Sequence, residues 1–256
     1  MRFSSLLVVA PLLTAWAPTL VAQTTPWISR HQNAVWLGTF VDQPLNPRWA
    51  LWFDGQWRRL DAGQQPQQVL IRPGVLFTVA PGVRLGAGYG YVATAPYGAL
   101  PIAHPTREHR SWQQLSLSHT VGSVSVSHRY RLEQRWVTAL RPNDAALTRV
   151  AARPTYANRA RYMGRVQGPL SPIRVKGRPL LAFAWDELLM PIGGGGASLQ
   201  VTQNRAAVGI GLPLDARQRL EIGYMNLWNA LPTRRANEVN HTLTVSWFWT
   251  PPAPRN

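Results

Sequence analysis

Cysteine is absent from the 256-residue chain, and with it structural disulfides, zinc–thiolate centres and cysteine nucleophiles. Lysine is nearly absent, since of the 27 basic residues only Lys176 is not an arginine. Carboxylates are few, 11 in all, which leaves a formal charge of +16. Beyond residue 22 no window approaches about 18 uncharged apolar residues, so the pattern of a transmembrane helix is missing. No G-x-S-x-G sequence marks a nucleophile elbow. No Gly-Lys-Ser/Thr follows the glycines at 193–196, so that run is not a phosphate loop. Histidines and carboxylates do not fall at metal-ligand spacing, and neither a metal nor another cofactor is expected.

Residues 1–22 carry one positive charge at Arg2, an apolar core over 6–16 and small residues before Gln23, the layout of a secretory signal. The expected organisation is a signal peptide at 1–22, a flexible segment at 23–33, one β domain at 34–250 and a short tail at 251–256. In a cytosolic protein this charge would point to nucleic acid. Here the arginines recur at alternate positions of an exported chain, not in one basic helix or tail, and nucleic acid is not an expected partner. Arginine binds phosphate in bidentate fashion. Outer-membrane lipid, the phosphates of lipopolysaccharide and small anionic solutes are the expected partners instead.

What the chain has in abundance is alternation with a period of two. In 107–136, Leu115 and Leu117 alternate with Gln114, Ser116 and Ser118, a turn comes at Val121 and Gly122, and Val124, Val126, Tyr130 and Leu132 alternate with Arg129, Arg131 and Glu133. The same reading puts Trp49, Leu51, Phe53 and Trp57 on one face and Trp52, Asp54, Gln56 and Arg58 on the other. Val83, Leu85, Ala87 and Tyr89 alternate with Arg84 and with glycines at 86, 88 and 90, which leave one face without side chains, as a narrow lumen opposite arginines requires. Short turns near 45, 81, 122 and 215 alternate with longer connections near 63, 100, 145, 195 and 234, the asymmetry of an outer-membrane barrel. Of the 12 tryptophans, Trp49, Trp57, Trp228, Trp247 and Trp249 fall at strand ends, where interfacial aromatics belong.

These features predict an all-β fold: an antiparallel up-and-down transmembrane β-barrel in the bacterial outer membrane. Eleven segments alternate clearly. Because bacterial barrels close with even numbers, about 12 strands are expected, with 10 as the alternative and an added strand in 24–32 or 137–154.

The runs IRPGVLFTVAPGVRLGAGYGYV, EHRSWQQL, SHRYRLEQRW, YANRARYM, LLAFAWDELL, QNRAAVGIGL and RLEIGYMN, in this order over about residues 34–249, resemble the domain of unknown function 2490 family of bacterial envelope proteins. The resemblance implies a signal-bearing outer-membrane β-barrel and brings no activity or catalytic residues with it. The chain departs from the family pattern in a longer 137–154 and in the glycine run at Gly193.

Strand phase assigns Asp54, Arg58, Arg72, Arg84, Arg129, Arg131, Glu133, Arg135, Arg159, Arg161, Arg165, Arg205 and Glu221 to the lumen, an excess of arginine that attracts anions. Paired with the acids and packed into a barrel of this width, the same arginines act as a plug. Glu108, His109, Arg110, Asp186 and Glu187 are assigned to the rim. Catalysis has little to stand on. His119 and Ser118 are strand neighbours and point to opposite faces, and adjacent Asp186 and Glu187 diverge in the same way, one of them ion-pairing inward to an arginine and the other lying at the rim. The leading expectation is therefore a non-enzymatic barrel, either a narrow anion-favouring passage or a plugged barrel contacting lipopolysaccharide. An outer-membrane lipid hydrolase and a soluble periplasmic lipid carrier are the alternatives.

Overall fold

The computed structural model describes residues 27–143, 148–175, 177–193 and 200–254. The expected signal peptide lies outside the described residues. Twelve strands are present: β1 Ile28–Pro44, β2 Trp49–Leu60, β3 Gln65–Ala80, β4 Val83–Thr94, β5 Thr106–Val121, β6 Val124–Asn143, β7 Thr148–Ala151, β8 Thr155–Val175, β9 Arg178–Ile192, β10 Gln203–Pro213, β11 Gln218–Leu231 and β12 Ala236–Trp249. Each wall strand pairs with the next, β6 passes directly to β8, and β1 meets β12, so eleven strands close a barrel. The short β7 pairs only with the far end of β6, from Leu140↔Ala151 to Asn143↔Thr148, as an arm outside the wall.

The strand total agrees with the expected number, and β7 falls in the stretch where an added strand was sought. The wall itself is odd-numbered. An odd wall makes its first and last strands point the same way, and β1 and β12 do pair parallel, from Ile28↔Ala236 to Val41↔Trp249. Every other wall pairing is antiparallel.

The turns follow local chemistry. Gly82 (φ 73°) and Gly122 (φ 60°) supply the left-handed residue of two tight hairpins, a conformation that costs a residue with a Cβ. At the next turn type an Asx side chain replaces glycine: Asn46 Oδ1 accepts from the backbone N–H of Arg48 and Trp49 at 2.9 and 2.8 Å, and Asp215 Oδ1 accepts from Arg217 and Gln218 at 2.7 Å each. Those backbone donors, Arg217 first, hold the Asp215 carboxyl below its ordinary range. Two connections expected to be long are tight 3-10 turns, Asp61–Gly63 and Pro232–Arg234. The other connections expected to be long, from β4 to β5, from β6 to β8 and from β9 to β10, leave the wall at one end, the long-loop end. Around the Asp61–Gly63 turn β2 runs on to Leu60 and β3 resumes at Gln65, with Gln67 buried and Gln68 half-buried.

Alternation sorts the side chains by face. Leu51, Ile71, Tyr89 and Leu243 project from the wall, each 45–49% exposed, while Asp54, Arg131 and Glu133 inside are at 0–2%. The oily face is therefore the outside. The interior apolar cluster is small, formed by Ala34, Trp36, Leu60, Ala207, Met225 and Leu227. The glycines of β4, with Gly74 beside them on β3, make room for a ring as well as for arginines. A methyl at Gly74 or Gly88 would overlap the Trp112 ring, and at Gly90 it would meet Arg72 and Arg110 at 3.5 and 3.6 Å. The space they leave is mostly filled by an indole lying flat on the wall.

Candidate functional site

The interior is a set of arginine–carboxylate clusters in which acids are the scarce partner. Glu133 on β6 accepts from Arg161 Nη1 at 2.6 Å and from Arg159 Nε at 2.9 Å. Arg72 and Arg110 stand at 3.5 and 3.9 Å from the same carboxylate. Glu187 on β9 accepts from Arg161 Nη2 at 2.6 Å, Arg129 Nη2 at 2.8 Å and Arg205 Nη1 at 3.2 Å. Arg161 thus ties the two acids together, and Arg72, ion-paired to Asp54, continues the chain of charges to β2. Glu108 holds Arg110 and Arg135, and Glu221 holds Arg165 and Arg219 at 2.6 and 2.7 Å. Nearer the short-turn mouth, Arg84 pairs with Asp42.

Burying a single ion costs several kcal/mol, and only multiple well-formed partners offset it. Sharing Glu108, Glu133, Glu187 and Glu221 among two to four guanidiniums each achieves this with few acids. Two interior arginines have no carboxylate partner among the described residues. Arg58 donates to Gln68 at 2.5 Å and Gln56 at 2.6 Å, with its guanidinium 3.7 Å from the Trp36 ring centre. Arg131 donates to Gln114 at 3.0 Å and sits 4.9 Å from Trp112 and 5.3 Å from Trp52. Indole faces and amide oxygens stand in for the missing anions.

This packing leaves two cavities. One of about 360 Å³ occupies the short-turn side, and its lining extends to Asp42, Trp249 and Thr250. One of about 400 Å³ occupies the long-loop side, lined by Glu108, Arg110, Arg135 and Tyr97 among others. Trp36, Arg58, Arg161 and Arg205 line both. These four side chains are the partition between the two ends.

All thirteen residues assigned to the lumen by strand phase are buried or half-buried. The rim assignments divide. Glu108, Arg110 and Glu187 are inside, 2–5% exposed, whereas His109 and Asp186 are on the outer surface. His109 Nδ1 lies 2.6 Å from the Tyr89 hydroxyl, and Asp186 accepts from Asn204 at 3.0 Å. Carrying the period of two back from Gln114 through Trp112 would have placed Arg110 and Glu108 correctly; the strand begins earlier than its clear alternation. Glu187 is hidden in the nearly unbroken apolar run of β9, where no phase is legible. Asp42 and Arg219 were also missed. Among the described residues no serine hydroxyl bonds a histidine, and no three His or carboxylate side chains gather as a metal set.

A family model described as protein of unknown function (DUF2490) matches residues 33–238, which takes in nearly the whole wall. The chain belongs to that family. A relative in Methylorubrum extorquens, described as an uncharacterized protein, is 29% identical over 192 residues, covering 72% of this chain and 73% of that protein. In this DUF2490 barrel the match takes in most of β1 and stops three residues into β12.

The long-loop mouth is closed over by the β4–β5 connection. Ala95 N–H donates to Gln67 O at 3.0 Å, and Arg234 Nη2 donates to Pro101 O at 3.0 Å from across the mouth. Tyr97 on this connection packs against the interior apolar cluster. Burial, seconded by the Glu238 charge, pushes its phenol from 10.0 up to about 12. The neutral form is thus favoured in the closed loop. The stabilisation is complete below pH 10 and is lost as pH rises through about 12. In an alkaline titration followed by tyrosinate absorbance, Tyr97→Phe should delete a step near pH 12. A Tyr97→Phe curve identical to wild type would mean that the loop does not enclose the ring.

Proposed function

We propose that this protein is an integral outer-membrane β-barrel whose lumen is closed by its own arginine–carboxylate clusters, and that its surplus of positive charge engages anionic lipid phosphate or small anionic solutes at the two mouths. The observation that carries the reading is the inversion of polarity. A closed wall presents aliphatic and aromatic side chains outward and encloses ions, which is the reverse of a protein in water and the arrangement hydrocarbon demands. Trp49, Trp57 and Trp249, exposed at strand ends, support it as interfacial anchors. The partition of four side chains between the cavities favours a plugged barrel over an open passage.

Fractionation tests it. The protein should pellet with outer membranes, resist extraction by urea at alkaline pH, and run faster on cold gels than after boiling. Recovery in the osmotic-shock fluid without detergent would instead support a soluble carrier and defeat the membrane reading.

A further inference from the structure

The cavity on the short-turn side is unlike the rest of the interior. Its deep end is cationic: Glu187 faces three guanidiniums, Arg129, Arg161 and Arg205. Arg205 is 8% exposed and lines this cavity, yet its Nε has no hydrogen-bond partner. An orphaned donor on a buried cation is costly. From that end toward the mouth the lining gains apolar side chains, Met163, Phe183, Trp185, Met225 and Phe248, and the arginines among them, Arg165 and Arg219, are paired to Glu221 and lie over the Phe183 and Phe248 rings.

The wall is shaped to keep this space free. Phe183 lies against Gly209 and Gly223, where an added Cβ would come within 2.6 and 3.0 Å of its ring, and Phe40 lies against Gly38 at 2.9 Å. Glycine at these three positions lets two rings fold flat along the wall. With side chains there, the rings would project across the lumen. The volume of about 360 Å³ falls in the range of roughly 300–1,000 Å³ typical of small-molecule sites, which combine an apolar lining with a few placed polar groups.

We propose that this cavity binds an amphipathic anion with one medium-length alkyl chain, its carboxylate or phosphate on Arg205 and Arg129 beside Glu187 and its chain along Met163, Phe183 and Met225 toward the short-turn mouth. The surplus guanidinium charge selects the head group, and the thioethers adapt to a flexible chain. The inference deepens the reading of a plugged barrel with anion-binding ends, and its test does not depend on where the protein resides.

The methionines report the site. Met163 and Met225 line the cavity, whereas Met190 lines a groove on the outer surface. In the full chain held in nanodiscs with ¹³C-methyl methionine, decanoate should move the Met163 and Met225 resonances saturably, and Met190 should drift only in proportion to added lipid. Decanol, lacking the charge, should bind at least tenfold more weakly. Arg205→Gln, which leaves Glu187 with Arg129 and Arg161, should remove most of that preference for decanoate. Decyl phosphate in place of decanoate distinguishes a phosphate head from a carboxylate, and tighter binding of either supports the site. Should Arg205→Gln fail to fold, the wild-type contrast between decanoate and decanol decides. Unmoved Met163 and Met225, equal response of Met190, or equal affinity for decanol would overturn the proposal. Extraction behaviour tests the membrane reading separately.

Discussion

Replacing Glu133 by Gln is expected to destabilise the barrel by about 3–5 kcal/mol, the cost of leaving a buried charge uncompensated. The substitution keeps the shape of the side chain and removes the one acid that four guanidiniums share. Arg161 would retain Glu187, Arg72 would retain Asp54 and Arg110 would retain Glu108. Arg159 would lose the only carboxylate it has among the described residues. Urea unfolding followed by tryptophan emission reads the loss as a lowered midpoint. Adding Arg159→Gln should recover much of it, because the orphaned cation is then gone. Asp42→Asn is the contrast. Its pair with Arg84 is about a third exposed on both sides, and exposed pairs contribute ~0–1 kcal/mol. Equal effects at Glu133 and Asp42 would mean that the inner cluster is hydrated and not the anchor described.

The second large effect concerns permeability. In planar bilayers the native barrel should be silent, because Trp36, Arg58, Arg161 and Arg205 separate its two cavities. Trimming Trp36 and Arg58 together to Ala removes the stacked pair from that partition and leaves every ion pair intact. Discrete current steps should then appear, and they should favour anions, since the lumen carries more arginines than acids. Arg129→Glu and Arg161→Glu in that background should move the preference toward cations. Steady conductance from the native protein, or steps without ion preference in the trimmed variant, would refute the plug.

Much of this barrel could be read from residue order alone. Wherever polar and apolar residues alternate strictly, as in Trp49–Leu60, both the strand and its inward face follow from geometry. Two things did not follow. The number of wall strands depends on how the ends meet, and the parallel contact of β1 with β12 leaves no local mark in either strand. The extent of the ion network depends on lateral reach: Glu133 collects arginines from β3, β5 and β8, at positions up to 61 residues away. Alternation gives a side chain's face but not its partners. Where alternation fails, as around Glu187 in β9, even the face is lost, although Arg161 and Arg205 on the neighbouring strands were placed correctly.

The seam of the wall also bears on how the polypeptide would be laid across a bilayer if the barrel is a membrane protein as proposed. A barrel with an even wall returns its two ends to the same compartment. Here β1 starts at the long-loop mouth and β12 finishes at the opposite one, next to Arg217, whose carbonyl accepts from Thr250 N–H at 2.9 Å. If the barrel is inserted in this way, with its tight hairpins toward the periplasm, the start of β1 has to reach the far side before the circle can shut, and the closing contact sets the earliest-made strand alongside the last-made one, heads aligned, instead of as a simple hairpin.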